Sequence, residues 1–457
     1  MADAYTRSDS AMIEWLIAAY FASFMVVSVY TAALIVVIVR YRHYKVPASV
    51  DITSASPNIT VQLPVYNPER QVFTRCLDAV VRMSYPKEHL QIQVLDDSTK
   101  PDAVDFVRDA CVLRGVEFLH RNSRDGYRAG AFACSLPSVR GEYLVIVNVD
   151  CIPPSDFLER MVGAIHADPK VGYVMSNHVF HNRTASGQTR VTSIILDMGI
   201  MNLNGLPMLT GFGVVIRKQA LLDAGGWQGD TICDDYDTGA RILSSGYGSL
   251  FLRDVEFPCE APDTLKEYRR TAERWARASG QYMRKDIGTI IRGKMNKLDK
   301  FLLLTLSTGF VQMLASVINL IAVFALIVLN AIPGPQYAAL WSVVSVTGFI
   351  LYIYYYHVTK FRGLPMRKHF RDLVLAVIIG YGSIFFVTYN LLRGMLETGP
   401  SKARIKMNSL LEWTVVDGLF IAVTGSTLLF ALFYRNAILA AYMLLNLVGI
   451  ILIRKKN

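Results

Sequence analysis

Two acidic motifs in the middle of this 457-residue chain have residue types and spacings that could do chemistry. Asn148-Val149-Asp150 places two side-chain oxygens two positions apart, hard ligands of the kind that hold Mg2+ or Mn2+ against a diphosphate. Asp234 and Asp235 are adjacent, so their charges repel and one pKa rises, which suits a general base. Arg128 lies in Gly126-Tyr127-Arg128-Ala129-Gly130-Ala131, where small neighbours would let a phosphate reach its guanidinium. Each motif alone has a plain structural reading. An acidic residue ahead of a helical run caps the helix, and Asn-x-Asp can be a turn.

Position gives the motifs their weight. Short β-rich apolar runs fall at 59–65, 91–95, 116–120, 143–147 and 171–176, separated by helical patterns at 73–83, 103–114, 129–136 and 157–168. Strands alternating with helices predict a doubly wound, mostly parallel sheet covered on both faces. Ligands of such sheets bind beyond the carboxyl ends of the strands. The polar clusters fall there. Pro64-Val65-Tyr66-Asn67 ends the first run, Asp96-Asp97-Ser98-Thr99 the second, 121–128 follows the third and 148–150 the fourth. Four clusters at four successive strand ends predict one cleft. Further on, Gly225-Gly226-Trp227 precedes the acidic pair, which opens a helical run at 238–243.

Composition places this α/β segment beside a membrane. Apolar residues make up 52% of the chain and mean hydropathy is positive. Leu16 to Val39 carries no charge and is long enough to cross about 30 Å of hydrocarbon. With no small-residue cleavage site it reads as a retained anchor, and Arg40, Arg42 and Lys45 put the α/β segment on the cytoplasmic side. The net charge of +10 does not point to nucleic acid, because the cations cluster beside apolar stretches. From Arg269 to Lys300 they alternate with Trp275, Tyr282, Met283, Ile287, Ile290 and Ile291, the pattern of helices on an anionic membrane surface. All six cysteines lie in the α/β segment without a CxxC pair, which predicts reduced thiols rather than a zinc site.

After the α/β segment, apolar stretches at 309–329, 337–357, 419–433 and 437–453 are read as spans, making five with the first. The stretch 373–389 is read as interfacial or re-entrant, because Gly380, Gly382 and scattered Ser and Thr weaken it as a span. That count keeps the Lys402-Ala403-Arg404-Ile405-Lys406 loop and the Arg454-Lys455-Lys456 tail cytoplasmic. The expected domains are an N-terminal tail and helix (1–45), a cytoplasmic α/β domain (46–266), interfacial amphipathic helices (267–308) and a transmembrane bundle (309–457). The bundle would contain an interfacial helix (about 371–393) and a loop (about 395–406).

In order, these residues resemble the membrane-integrated glycosyltransferases of family 2, the cellulose, mannan, hyaluronan and related synthases. The likeness runs from about residue 58 to 275. It implies a GT-A fold in a multi-pass protein of the cell membrane, with its catalytic domain cytoplasmic. It also implies inverting transfer of a hexose from a UDP- or GDP-sugar, with Mg2+ or Mn2+ as cofactor. By this resemblance Pro64, Tyr66, Asp96 and Asp97 hold the donor nucleotide, with Arg128 and Arg274 on its diphosphate. Asn148 and Asp150 match the metal-binding DxD. Cys233-Asp234-Asp235 matches the TED-type motif, whose last aspartate is the base. Thr271-Ala272-Glu273-Arg274-Trp275 matches QxxRW, putting Thr271 and Trp275 at the acceptor. Glu397-Thr398-Gly399-Pro400-Ser401-Lys402 looks like a loosened FxxTPK gating loop, with Thr398 and Lys402 at its matching positions.

Three positions depart from the pattern: Asn148 for aspartate, Asp234 for glutamate and Thr271 for glutamine. The acceptor is thus either a growing polysaccharide exported through the bilayer or a lipid such as a polyprenyl phosphate or diacylglycerol. A scaffold or transporter that has lost catalysis is the third class, favoured only by Asn148. Homo-oligomerisation stays open.

Overall fold

The computed structural model describes residues 2–43, 56–182, 185–201, 208–307, 309–329 and 366–397, with a few single positions beyond. A long helix, α1 (Ala2–His43), precedes the α/β domain. That domain runs β1 (Ile59–Val65), α2 (Arg70–Val81), β2 (Leu90–Asp96), α3 (Pro101–Arg114), β3 (Glu117–His120), α4 (Tyr127–Ser135), β4 (Tyr143–Ile146) and α5 (Phe157–His166). It continues through β5 (Val171–Phe180), α6 (Gly187–Met201), β6 (Val214–Arg217), α7 (Lys218–Asp223), α8 (Asp234–Ser244) and β7 (Gly248–Cys259). Five more helices follow: α9 (Leu265–Arg292), α10 (Lys297–Leu306), α11 (Val311–Val328), α12 (Met366–Gly382) and α13 (Ile384–Leu396).

The strands form one sheet in the order β3-β2-β1-β4-β6-β5-β7. Only β6 runs against its neighbours, pairing antiparallel with both β4 and β5. The mostly parallel expectation therefore holds, and β1 and β4 are buried along nearly their whole length, as strands covered on both faces must be. Two apolar layers flank the sheet. One packs Phe73, Leu77 and Phe157 against Leu63 and Val145. The other packs Phe132, Trp227 and Ile242 against Leu144 and Ile216. Trp227 follows Gly225 and Gly226, which hold φ of 86° and 69° and so turn the chain where a side chain would strain it. Its ring lies 4.7 Å from that of Phe132.

The expected boundary at 266/267 cuts into a single rod. Helix α9 starts at Leu265, where Thr264 accepts a hydrogen bond from the Glu267 N–H at 3.2 Å and Glu267 accepts one from the Asp263 N–H at 3.0 Å. It then runs through Arg292 without a break, packed on α8 and α13. The expectation that its cations all serve a membrane surface is also corrected. Arg269 and Glu273 form a buried ion pair at 3.0 Å, Arg277 clasps Glu397, and Lys285 bonds Asp230. A cation that leaves water needs a partner, and α9 leaves water on its inner face.

Two glycines set how closely α9 and α13 approach. A Cβ on Gly280 would stand 2.3 Å from the Leu391 carbonyl oxygen, and one on Gly394 would stand 2.1 Å from that of Arg277. The helices touch backbone to backbone.

Within the described residues one helical stretch, 10–37, is long and apolar enough to cross a membrane. Three qualify if each of two bent pairs counts as one span. Helices α10 and α11 meet at 60°, and α12 and α13 at 44°. The second bend falls at Gly382 and Ser383, where the Ser383 hydroxyl donates back to the Ile379 carbonyl at 2.7 Å. The 373–389 stretch is thus bent rather than straight. The spans expected at 337–357, 419–433 and 437–453 lie outside the described residues, apart from single positions.

Candidate active site

Asn148 and Asp150 follow the carboxyl end of strand β4. A tight turn, closed by the Cys151 N–H donating to the Asn148 carbonyl at 3.1 Å, fixes the loop. Two buried thiols brace it: Cys76 donates to the Asn148 carbonyl at 3.3 Å and Cys151 to Asp150 Oδ1 at 3.6 Å. Burial raises the Asp150 pKa, with Glu260 nearby adding to it and Arg274 opposing. A half-buried carboxylate so thinly bonded has oxygen valence to spare for a cation.

Helix α8 begins at the acidic pair, so Asp234 and Asp235 sit at its positive end. Asp235 accepts the Tyr236 N–H on Oδ1 at 3.0 Å, and its Oδ2 lies 3.6 Å from Arg128. Burial and the Asp234 charge push Asp235 up to about 6, with Arg128 holding it back.

Arg128 is the hub. It donates Nε to Asp234 Oδ2 at 2.9 Å and Nη2 to Asp234 Oδ1 at 2.7 Å, a fork-to-fork pair. Its Nη1 reaches the Gly211 carbonyl at 3.2 Å and Asn148 Oδ1 at 3.5 Å. Burial alone would lower its pKa, but Asp234 and Asp235 raise it. The expectation that Arg128 neutralises phosphate is corrected: its charge is spent on Asp234. Asp234 in turn is a clamp for Arg128 through both its oxygens.

Gly211 went unnoticed in the sequence. A Cβ there would stand 2.6 Å from both Arg128 Nη2 and Asp235 Oδ2. The signal was present in Thr210-Gly211-Phe212-Gly213 ahead of a short apolar run, since glycine marks a close backbone approach.

At the end of β2, Asp96 is fully buried. Its oxygens accept from the Ser98 N–H at 3.1 Å and pair with His120 Nδ1 at 2.8 Å. Asp97 is clasped by Arg121 through two bonds of 2.7 and 2.6 Å. Asp96, expected with Asp97 to hold the donor nucleotide, thus turns both oxygens to groups of the protein. Tyr66, following Pro64, is exposed, with the Arg124 guanidinium 3.5 Å from its ring centre.

On α9, Thr271, Arg274 and Trp275 follow at i, i+3 and i+4, one face of the helix. Trp275 is 38% exposed. Loss of hydration in the cleft and the charge of Arg128 lower the Arg274 pKa, against the pull of Asp235, Asp150 and Asp234. Among the described residues Arg274 makes no ion pair, so its charge is available. Thr398 and Lys402, expected in a gating loop, lie outside the described residues.

Residues 57–278 match the model of the "Glycosyltransferase like family 2" family. They form a glycosyltransferase family 2 domain. A probable glucomannan 4-beta-mannosyltransferase 4 of Oryza sativa subsp. japonica is 28% identical over 309 residues, 64% of this chain and 56% of that protein. Glucomannan 4-beta-mannosyltransferase 1 of Cyamopsis tetragonoloba is 31% identical over 291 residues, 60% of this chain and 55% of that protein. The chain spans about half the length of these curated relatives. In fold, the chain resembles a mannosyltransferase of Pyrobaculum calidifontis solved in complex with GDP-Man and Mn2+. That match has a TM-score of 0.57 and 21% identity, covering 83% of this chain and 98% of the other.

Among the described residues no three His, Cys, Asp or Glu side chains converge as a metal site. Asn148 and Asp150 offer one carboxylate and one amide, a donor set that fits Mg2+ or Mn2+ completed by a diphosphate. So thin a set predicts weak metal binding without nucleotide. Asp150→Ala should remove metal-dependent nucleotide binding. Calorimetry with Mn2+ alone, nucleotide alone and both together checks this, and tight metal binding without nucleotide would count against the site.

Proposed function

We propose that this chain is an inverting mannosyltransferase. It moves mannose from GDP-mannose to a hydroxyl of a growing β-linked polysaccharide at the membrane. The observation that carries the reading is Asp235, pushed up to about 6 and linked through Arg128 to Asn148 within a family 2 domain. The names of the relatives supply the sugar.

In this reaction the acceptor hydroxyl gives its proton to the Asp235 carboxylate while its oxygen attacks the anomeric carbon. The carbon–oxygen bond to the diphosphate breaks, and GDP leaves with the electron pair. Opposite-face attack inverts the centre. A divalent cation held by Asp150 and Asn148 supplies electrophilic stabilisation of the leaving diphosphate. Arg274 adds its uncommitted charge there, and electrostatic terms of this kind are often the largest in catalysis. Arg128 keeps Asp235 ionisable near neutrality. Tyr66 and Asp97 line the nucleotide side, and Trp275 offers a face on which the acceptor sugar can stack. In the cell the domain would face the cytoplasm below a multi-pass bundle.

The direct test is nucleotide release by the membrane-embedded protein with GDP-mannose, UDP-glucose and UDP-N-acetylglucosamine. Release with none of the three would defeat the reading and favour the scaffold.

Thr271 favours a second reading, single addition to a lipid acceptor. It is shorter than glutamine and offers only a hydroxyl, so the acceptor is held less firmly. Wild type should therefore make short products, and Thr271→Gln should lengthen them on gel sizing of radiolabelled product. Long polymer from wild type, unchanged in the variant, would sink this idea.

A further inference from the structure

The buried face between α8 and α9 holds a carboxyl group that sugar transfer does not use. Asp286 is 1% exposed, and neither of its side-chain oxygens meets an N–H or O–H donor among the described residues. An ionised carboxylate in that state has lost water without compensation, and proteins neutralise such groups instead. What Asp286 does face is another carboxyl, that of Asp237, wholly buried on the first turn of α8 and two residues after Asp235.

Asp237 is already claimed by two cations. Arg241 Nε donates to both its oxygens at 3.2 Å and Nη2 to Oδ2 at 2.8 Å, while Lys285 Nζ lies 2.9 Å from Oδ1. Lys285 also donates to Gln228 at 2.8 Å, and to Asp230. From the remaining sides come Cys233, ahead of α8, and Tyr282 of α9, whose ring stands 5.9 Å from that of Tyr236. The surroundings of Asp286 therefore hold two cations already bound to Asp237, and none of the groups around it donates to Asp286 among the described residues. Two carboxyls in hydrogen-bond contact need a proton between them. The cations on Asp237 leave that proton to Asp286.

We infer that Asp286 is a positioning residue that works as a neutral carboxylic acid: its O–H donates to Asp237 and pins the first turn of α8, and with it Asp235, against α9. Burial first and Asp237 second push Asp286 up to about 8, against Lys285 and Arg241. Above that pH the proton leaves, two buried anions face each other, and the turn that carries Asp235 loosens.

The inference rests on Asp235 as the base, but its test separates the two. Asp286→Asn keeps a donor and cannot ionise; Asp286→Ala keeps neither shape nor donor. In full-length protein in lipid nanodiscs, the first measurement is thermal unfolding against pH. The folded-state pKa is raised above the ordinary carboxylate value, so the native state holds the extra proton between about pH 4 and 8. Wild-type stability should fall as pH rises through that window, and the asparagine variant should lose that part of the slope. Parallel slopes would overturn the inference without any appeal to catalysis. The second measurement is GDP release from GDP-mannose against pH. Wild type should lose activity above about pH 8, the asparagine variant should keep neutral activity and lose that alkaline limb, and the alanine variant should fall about tenfold or more below it in kcat. An unmoved limb in the asparagine variant would also overturn the inference. No GDP release from wild type at any pH would sink the transferase reading alone, leaving the unfolding comparison to decide Asp286.

Discussion

Asp235→Asn is expected to abolish sugar transfer while leaving donor binding nearly intact. A base is needed only as the acceptor proton moves, so its loss appears in kcat, typically by about 100- to 10,000-fold. The amide keeps the shape and can still accept the Tyr236 N–H that orients the carboxylate. The same group sets the acid limb of the wild-type profile. With Asp235 raised to about 6, the ionised base is lost as pH falls through 6, and activity should fall with it. GDP release across pH 4.5–7.5, with calorimetric donor titration of the variant, measures both. A variant that keeps more than about half the activity would remove Asp235 from the role.

Arg128→Ala is expected to be the most damaging change to stability in the cleft. Asp234 would keep its buried place and lose both charge-assisted bonds, and breaking such a pair from one side costs about 3–5 kcal/mol. That is a large share of the ~5–15 kcal/mol that holds a typical domain together. Whatever folded protein remains should show its acid limb displaced to higher pH, because Arg128 is the charge that restrains the Asp235 pKa. Arg128→Lys should restore part of the stability but not the fork that spans both Asp234 oxygens. Denaturant unfolding of the three proteins tests the ordering. An alanine variant as stable as wild type would show that Asp234 finds another partner.

The sequence revealed the parts of the fold that repeat. Strands β1 to β5 announce themselves as apolar runs between helical patterns, and four of them end in polar clusters. The last two strands do not. β6 is only four residues long and enters the sheet reversed, antiparallel to both neighbours. β7 carries Arg253, Asp254 and Glu256, which break the apolar pattern because an edge strand is covered on one side only. In the site, Asn148, Asp150 and Asp235 were legible because their residue types limit what they can do. Their partners were not. Asp234 and Arg128 are 106 positions apart, and nothing local to either indicates that the arginine is spent on a carboxylate rather than left for phosphate. The cations of α9 misled for the same reason: Arg277 and Glu397 are 120 positions apart.

The glycine seam between α9 and α13 bears on how these proteins can be recombined. The α/β domain and the helices after α9 look like interchangeable modules that could be joined at a loop. Here the join is not at a loop. Gly280 and Gly394 let two main chains touch, and the Arg277–Glu397 clasp lies alongside, so each half of the seam is cut to fit the other. A chimera that takes the segment through α9 from one relative and the segment from α13 onward from another inherits a fitting contact only if both parents carry a glycine at each crossing point. Where one parent has a larger residue there, the halves would be wedged apart and the α9 face bearing Arg274 and Trp275 would tilt with them. Lineages that trade these halves successfully should therefore trade the two glycines together.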